Sequence, residues 1–129
     1  MVNDPLADAL NVIRTNEIAG KPECLIRPAS RLIREVLLIL QKQGYIGDFE
    51  FVDNGTSGLF KVNLIGKINS CGAIKPRFAV KKCEWNKWEQ RYIPSKDFGL
   101  LIVSTPKGIL TNREAKEKNS GGRLIAYVY

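Results

Sequence analysis

The feature that most constrains the fold is an apolar run that ends in a compact turn near the C-terminus. Leu100–Val103 contains four apolar residues, two of them β-branched. This composition predicts a buried strand. Ser104–Gly108 interrupts the strand, because Pro106 fixes a φ angle that suits turns and Gly108 tolerates a positive φ. The sequence therefore predicts a buried strand followed by a small turn rich in hydroxyl groups.

A second turn follows a short helix further along the chain. Thr111 and Glu114 have the spacing of a capping box, which predicts that a helix begins there. Asn119–Gly122 ends this helix, and Arg123–Tyr129 alternates in polarity as a strand does. Both turns expose backbone N–H groups and short polar side chains, which suits contact with a phosphate–sugar backbone or a base edge. Ordinary connecting turns share this composition, so the pattern alone leaves both interpretations open.

Length and cysteine content exclude several classes of protein. The 129 residues, of which 44% are apolar, suffice for one domain or two small lobes that share an interface. Cys24, Cys71 and Cys83 form no C-x-x-C pair, so we expect reduced thiols rather than a disulfide framework or a zinc site. Met1 leads directly into Asn3-Asp4-Pro5, and no apolar run reaches bilayer length. We therefore expect neither a signal peptide nor a membrane span.

The chain contains no histidine. This absence removes the commonest general base and metal ligand, and with them the Ser-His-Asp and Cys-His triads. A dyad of Ser104 and Lys107 is the remaining enzymatic alternative, but it needs a buried, neutral lysine. Lys107 lies in a glycine-containing turn that we expect to be hydrated. The sequence therefore predicts a protein that is not an enzyme and uses no cofactor, metal or small-molecule substrate.

The net charge of +7 is distributed unevenly. Residues 1–60 contain 6 basic and 8 acidic residues, whereas residues 61–129 contain 14 basic and 5 acidic residues. A basic half suggests a polyanionic partner, and nucleic acid is the first candidate. A membrane is less suitable, because no basic amphipathic helix with exposed aromatic residues is present. The positive charge has two alternative explanations, which are binding of acidic proteins and an effect on solubility alone.

The first half of the chain predicts a sheet backed by two helices. Its elements are a helix that begins near Pro5, a strand at Glu23–Arg27, a helix that begins near Ser30, and a hairpin of Tyr45–Asp53 with Leu59–Ile65. The order is therefore αβαββ. A short polar segment follows residue 66, and it is the predicted boundary between an N-terminal α/β lobe, residues 1–66, and a C-terminal lobe, residues 67–129.

The second lobe is predicted to be mostly antiparallel β with one short helix, which makes the whole chain α+β. Ile74–Val80 predicts a strand, and its proline places that strand at an edge. Basic residues then alternate with Trp85, Trp88 and Tyr92, a pattern that suits phosphate neutralisation and base stacking. The spacing of the two tryptophans also fits packing against the sheet, and we favour packing for them. Tyr92 is a candidate RNA contact.

Three groups of residues, in order along nearly the whole chain, form a recognisable set. They are Asp4–Asp8 with Ile13-Arg14, then Gly44–Phe49, and finally a closing pattern of Ser104–Gly108, Thr111, Ala115, Gly121–Arg123 and Tyr127–Tyr129. This set resembles the family of small-subunit ribosomal protein eight. The segment from Glu84 to Gly99 resembles the archaeal and eukaryotic branch of that family rather than the bacterial branch.

The resemblance implies a structural constituent of the small ribosomal subunit, located on the cytoplasmic ribosome and monomeric outside it. It implies direct binding to a helix with an irregular internal loop in the central domain of small-subunit rRNA, beside neighbouring ribosomal proteins, and support of subunit assembly. It also implies an α/β lobe, a mostly β lobe, and a Ser-Thr-x-x-Gly loop as the main RNA contact. The alternative is a generic module outside the ribosome that binds RNA or acidic proteins.

On this chain the implied RNA-binding loop is Ser104, Thr105, Lys107 and Gly108, with Pro106 at a variable position of the motif. We expect the two hydroxyl groups to bind an irregular base or ribose, Lys107 to neutralise phosphates, and Gly108 to permit close backbone approach. The neighbouring wall is Asn119, Ser120, Gly121, Gly122 and Arg123, the last of these replacing an acidic residue of many bacterial members. The flanking candidates are Lys75, Arg77 and Tyr92, with Arg14, Ser30 and Arg31 from the first lobe.

Overall fold

The computed structural model describes residues 5–26, 29–53, 55, 58–74, 77–81, 83–93 and 99–129. The chain divides into two compact units, Met1–Cys71 and Gly72–Tyr129. This division falls after Cys71 rather than after residue 66. Cys71 is the last residue of the first unit, and its thiol donates a hydrogen bond to the carbonyl oxygen of Leu10, with the two atoms 3.4 Å apart.

The first unit has the αβαββ order that the sequence predicts. Its elements are α1 (Pro5–Ile18), β1 (Glu23–Ile26), α2 (Arg31–Lys42), β2 (Ile46–Val52) and β3 (Leu59–Leu64). The three strands form a sheet in the order β1-β3-β2. Val52 pairs with Leu59, which confirms the predicted antiparallel hairpin. Within the loop of this hairpin, positions 54, 56 and 57 lie outside the described residues.

In the first unit, α1 packs and α2 begins as their sequences predict. α1 buries Leu6, Ala9, Leu10 and Ile13, which have the spacing of one helical face. The hydroxyl oxygen of Ser30 accepts a hydrogen bond from the Ile33 N–H at 3.2 Å and so caps the start of α2. A helix cap satisfies a backbone donor that would otherwise lack a partner.

The second unit combines short helices with a twisted set of antiparallel pairings. Its first strand, β4 (Cys71–Ala73), begins at the last residue of the first unit. The other elements are β5 (Ala79–Val80), α3 (Trp85–Tyr92), β6 (Leu100–Thr105), β7 (Gly108–Thr111), α4 (Asn112–Glu117) and β8 (Gly122–Val128). β8 pairs with β6 on one side and with β4 and β5 on the other, and β7 pairs with β6. The two units together confirm the α+β class.

Two features of the second unit differ from the sequence prediction of one short helix and one strand at Ile74–Val80. The described part of this unit has two helices, because Trp85, Trp88 and Tyr92 recur at helical spacing and form one face of α3. The predicted strand is replaced by β4, which ends at Ala73, and β5, which begins at Ala79. Positions 75 and 76 between them lie outside the described residues.

A third difference concerns the turn at Ser104–Gly108. The sequence predicts a turn between a strand and a helix, whereas the structure has a β-hairpin in which β7 returns beside β6. Thr105 pairs with Gly108, so Pro106 and Lys107 form a two-residue loop at the tip. The return strand has four residues and leads directly into α4, which explains why local sequence periodicity did not reveal it.

The core of the second unit lies between its sheet and its two helices. Trp85 and Trp88 of α3 and Ala115 of α4 join a buried cluster with apolar residues of β6, β7 and β8. The preference for packing of the two tryptophans is therefore confirmed. Among the described residues, no helix combines the length and the apolar character that crossing a bilayer needs.

Candidate nucleic-acid interface

The tip of the β6–β7 hairpin is shaped by the side chain of Thr105. The Thr105 hydroxyl oxygen accepts a hydrogen bond from the Lys107 N–H at 3.1 Å, and the hydroxyl group donates to the Gly108 carbonyl oxygen at 2.9 Å. Gly108 adopts a φ of 118°, which favours glycine. Thr105 is buried and Ser104 is exposed. The Thr105 hydroxyl therefore organises the turn, while the Ser104 hydroxyl is free to face a ligand.

The second turn is a helix-ending motif centred on Asn119. Asn119 has a φ of 54°, and its N–H donates to the Lys116 carbonyl oxygen at 3.0 Å. The Ser120 N–H donates to the Ala115 carbonyl oxygen at 2.9 Å. This pair of hydrogen bonds defines a Schellman motif, in which asparagine tolerates the left-handed position better than most residues. The motif directs the chain from α4 into Gly121 and Gly122.

Hydrogen bonds at the start of α4 fix this helix to the sheet. The Thr111 hydroxyl oxygen accepts a hydrogen bond from the Glu114 N–H at 3.2 Å, which confirms the helix start that the capping-box spacing predicts. The buried side-chain oxygen of Asn112 accepts a hydrogen bond from the Leu101 N–H of β6 at 3.2 Å. The start of α4 is therefore fixed relative to β6, on which the first turn also lies.

The two turns approach each other closely at Gly122. Ser104 of β6 pairs with Arg123 of β8. A Cβ atom at Gly122 would lie 2.5 Å from the Ser104 carbonyl oxygen and 3.0 Å from the Thr105 methyl carbon. Only glycine fits a backbone approach this close. The glycine of the second turn thus has a structural role, because it allows β8 to begin beside the hairpin tip.

The closely packed turns line a shallow, open groove of about 650 Å³. Its lining residues are Ala79, Val80, Ser104, Thr105, Pro106, Ser120, Gly121, Gly122 and Arg123. Seven of these nine are candidate site residues of the sequence analysis. The other two belong to β5, whose pairing with the start of β8 brings it to the groove. That pairing is non-local, so no signal in the sequence around Ala79 points to it.

The remaining candidates of the two turns lie beside the groove rather than in its lining. Lys107 is exposed, and its ammonium group donates a hydrogen bond to the Lys118 carbonyl oxygen, with the two atoms 3.1 Å apart. Gly108 and Asn119 are also exposed. The contact of Lys107 with the end of α4 connects the hairpin tip to the second turn. Because Lys107 is exposed, it lacks the burial that a Ser-Lys catalytic dyad needs.

α3 supports the second turn from the interior of the unit. The Trp85 indole N–H donates a hydrogen bond to the Ser120 carbonyl oxygen at 3.2 Å. Glu89 is 2% exposed and forms an ion pair with Lys116 of α4. Sequence reasoning missed this role of Trp85 and Glu89. The signal that could have revealed it is the position of Glu89 next to Trp88, which indicates a buried carboxylate once α3 is recognised as a helix.

Tyr92 and the basic candidates around it occupy different environments. The half-buried ring of Tyr92 stacks on Trp88, with the ring centroids 6.4 Å apart, and on Tyr127, with the centroids 6.1 Å apart. Its ring is therefore already engaged by the protein. Arg77 is exposed, and Lys75 lies outside the described residues.

Three further candidates belong to the first unit. Arg14 is an exposed residue of α1, and Arg31 is the exposed first residue of α2. Ser30 is half-buried, and its oxygen accepts the capping hydrogen bond of α2, which leaves its hydroxyl hydrogen available to donate. The site candidates therefore form two groups, one in each unit.

The buried thiols are poorly suited to catalysis or metal binding. Burial raises the pKa of Cys24 to about 11, with smaller contributions from Glu17 and Glu23. Burial likewise raises the pKa of Cys71 to about 12. A neutral thiol is neither a nucleophile nor a metal ligand. Within the described parts of the chain, no group of three or more cysteine and carboxylate side chains is arranged to hold a metal ion.

Comparison with known proteins gives the family. The model of the family described as ribosomal protein S8 matches residues 4–129. The chain belongs to the ribosomal protein S8 family. One relative, the small ribosomal subunit protein uS8 of the archaeon Methanococcoides burtonii, is 54% identical over 126 residues, which cover 98% of this chain and 97% of the relative. The family resemblance seen in the sequence is thereby confirmed.

Membership in the S8 family defines the general role of the chain. S8 proteins are structural, non-enzymatic components of the small ribosomal subunit. They bind rRNA in this ribonucleoprotein, which takes part in translation. The prediction that the chain is not an enzyme is therefore confirmed by its family. Ribosomal RNA and neighbouring ribosomal proteins are its partners.

Proposed function

We propose that this chain binds directly to a helix with an irregular internal loop in the central domain of small-subunit rRNA, and that this contact supports subunit assembly. The observation that supports the proposal is the groove in which the Ser104 turn meets the Ser120–Arg123 turn. Two turns that are separated in sequence present a hydroxyl group, small residues and a basic side chain at one place on the surface.

The chemistry of the groove suits an RNA helix that departs from regular geometry. Regular A-form RNA conceals its base edges in a narrow major groove, so proteins read its minor groove, its shape or its irregularities. The exposed Ser104 hydroxyl can donate to and accept from a base or ribose, and Gly121 and Gly122 add no bulk that would keep RNA away. Exposed Lys107 and Arg123 supply positive charge for adjacent phosphates.

The two hydroxyl residues of the hairpin have separate roles in this proposal. Ser104 contacts RNA directly, because its side chain is exposed and forms no hydrogen bond with another described residue. Thr105 acts on the shape of the turn through its two internal hydrogen bonds. Thr105→Ser should therefore preserve RNA binding, whereas Thr105→Val should weaken it by releasing the Lys107 N–H and the Gly108 carbonyl.

The other candidates make flanking contacts in the proposal. Arg77 and Lys75 contact phosphates. Ser120 forms part of the groove wall, and Asn119 lies beside the groove. Tyr92 contributes through the edge of its ring and its hydroxyl group, because its faces stack on other aromatic rings. Arg14, Ser30 and Arg31 reach the same RNA from the first unit.

The experiment compares Ser104→Ala with Thr15→Ala, which removes an exposed hydroxyl group from α1. Binding is measured to a central-domain rRNA fragment with its internal loop and to a fully paired version of that fragment. We expect Ser104→Ala to cost about 1–3 kcal/mol on the looped fragment and to reduce the preference for it, by analogy with base contacts in DNA. Thr15→Ala should change neither quantity.

Footprinting on complete small-subunit rRNA then identifies the site. We expect protection around the irregular loop of one central-domain helix and loss of that protection with Thr105→Val. If Ser104→Ala and Thr105→Val both left affinity and loop preference unchanged, the groove would not be the RNA-binding site. Protection spread over many unrelated helices would instead indicate a generic RNA-binding module.

A further inference from the structure

The exposed face of α3 carries positive charge without an exposed acid. Lys87 and Arg91 are exposed, as are the neutral residues Asn86 and Gln90 between and beside them. Glu89 is the acidic residue of this helix, and it points into the interior, where Lys116 neutralises it. The burial of Glu89 leaves the outward face of α3 with two uncompensated cations.

Aromatic rings hold both cations in place. The Arg91 guanidinium carbon lies 5.4 Å from the ring centroid of Phe78, 5.5 Å from that of Trp88 and 5.6 Å from that of Tyr92. The Lys87 ammonium nitrogen lies 5.4 Å from the centroid of Trp88. Cations at such distances are attracted by the ring electrons. No ion pair among the described residues involves either cation, so each keeps its charge available to an external anion.

The rings beneath these cations stack on one another. Phe78 stacks on Trp88 with the ring centroids 4.9 Å apart, and the row continues through Tyr92 and Tyr127 to Tyr129. Rings that already stack within the protein have little free face for an incoming base. We therefore expect this surface to recognise charge, which in a nucleic acid is the phosphate backbone, rather than to stack on bases.

The residues that precede α3 in the sequence add further positive charge. Residues 77–93 contain five basic and two acidic residues. Arg77 and Lys81 are exposed. The second acid, Glu84, is half-buried, and its carboxylate accepts a hydrogen bond from the Lys81 N–H at 3.2 Å. Charge complementarity thus favours an extended polyanion, such as an RNA strand, over a single small anion.

We propose that the outward face of α3, with Lys87 and Arg91 held over stacked aromatic rings, is a second rRNA contact that binds the phosphate backbone without reading sequence. The proposal rests on the proposed function, because it takes rRNA as the ligand. It assigns different roles to the two surfaces of the second unit. The groove provides preference for the internal loop in addition to its phosphate contacts, whereas α3 provides only affinity that depends on salt.

The test measures the salt dependence of binding to full-length small-subunit rRNA for a double variant, Lys87→Gln with Arg91→Gln. The matched control is Lys21→Gln with Arg113→Gln, which removes the same charge at two exposed positions outside α3. We expect the slope of log affinity against log salt to decrease by about two for the α3 variant, one for each phosphate contact. The control should change the slope by less than half as much.

Further variants separate this surface from the groove. Lys87→Arg with Arg91→Lys keeps both charges and should keep the slope of the wild-type chain. The α3 variant should retain the wild-type preference for a looped over a fully paired fragment, whereas Ser104→Ala should reduce that preference. Failure of the proposed function would show in the wild-type chain, as absence of rRNA binding or of loop preference. Failure of the α3 proposal would show as equal slopes for the α3 variant and the control.

Polyglutamate serves as the competing probe, because an acidic segment of a neighbouring protein would also complement this surface. If the α3 variant lost polyglutamate binding while keeping the rRNA affinity and salt slope of the wild-type chain, the rRNA assignment would be overturned. If rRNA outcompetes polyglutamate and the α3 variant loses salt-dependent affinity for rRNA, the assignment is supported.

Cys83 offers an independent, site-directed readout, because it is exposed two residues before α3 while Cys24 and Cys71 are buried. A chelated iron that generates hydroxyl radicals can be attached to its thiol. We expect cleavage of an rRNA strand when the attached protein is bound, and none with Cys83→Ser. A protein that protects its rRNA site but cleaves no strand from Cys83 would contradict the proposal.

Discussion

At the scale of single residues, we expect Gly122 to affect RNA binding, because its lack of a side chain lets β8 approach the hairpin tip. Its Cβ position lies 2.5 Å from the Ser104 carbonyl oxygen, so Gly122→Ala must push β8 away from the hairpin tip. We expect this variant to lose about 1–3 kcal/mol of unfolding free energy, the usual cost of overpacking. RNA affinity should also decrease, because the two walls of the groove move apart.

Chemical denaturation and RNA titration check this expectation. Gly47→Ala is the matched control, since the closest contact of its added Cβ would be a methyl group of Ile65 at 3.3 Å. Equal losses of stability in the two variants would contradict the special role of Gly122. The sequence shows the Gly121-Gly122 pair but not this close approach, which depends on the pairing of Ser104 with Arg123 across separate strands.

The three cysteines should react very differently with thiol reagents. Cys24 and Cys71 are buried, with pKa values raised to about 11 and 12, whereas Cys83 is exposed. At pH 8 we expect one thiol of the folded protein to react with an aromatic disulfide reagent, and all three after unfolding. Rapid reaction of a second thiol in the folded protein would contradict the burial of Cys24 and Cys71.

The same pKa values give the direction of an alkaline effect on stability. Well below pH 9 the two buried thiols are neutral in both the folded and the unfolded chain. As the pH rises from about 9 towards 11–12, the unfolded chain loses these protons before the folded chain does. Their contribution to the unfolding free energy is therefore lost over that range. Denaturant titrations at pH 8 and pH 10 should show less of this loss when both residues are replaced by alanine.

At the scale of elements, α3 depends on the ion pair between buried Glu89 and Lys116 of α4. Lys116→Met leaves the Glu89 carboxylate buried without a counter-ion, so we expect a loss of about 2–3 kcal/mol of unfolding free energy. Adding Glu89→Met should restore most of that stability, because an apolar pair can replace a buried ion pair. Denaturant titrations of the wild-type chain, the two single variants and the double variant measure this coupling.

Additive losses in the double variant would show that the two side chains do not act as a pair.

The sequence alone did not predict α3 because its aromatic and basic residues also fit an exposed binding surface. Its helical spacing becomes decisive only when the sheet against which Trp85 and Trp88 pack is known. By contrast, local signals sufficed for α1, α2 and α4, because apolar spacing marks α1 and capping residues mark the starts of α2 and α4.

At the scale of the whole molecule, charge divides between the two units. The first unit, residues 1–71, contains 8 basic and 8 acidic residues, whereas residues 72–129 contain 12 basic and 5 acidic residues. This asymmetry was visible in the sequence without any structure, because net charge needs no contacts. The location of the groove was not, because it depends on β5 and the end of β6 meeting at the start of β8.

The charge division predicts that the second unit supplies most of the electrostatic attraction for rRNA. Lys107→Gln with Arg123→Gln removes two exposed cations at and beside the groove, where nearby Lys118 adds to the positive field. We expect the salt slope for rRNA binding to decrease by about two. Arg14→Gln with Arg31→Gln should decrease it by less than about one, because Glu17 and Glu35 lie one helical turn from these arginines and reduce their field.

Titrations of both double variants with rRNA over a range of salt concentrations measure this difference. Thermal unfolding of each variant serves as the control for folding, and surface substitutions of this kind should leave it nearly unchanged. A decrease of about two for the Arg14 and Arg31 variant would show that these two arginines contact as many phosphates as Lys107 and Arg123 do. The concentration of positive charge in residues 72–129 would then reflect solubility rather than the position of the RNA.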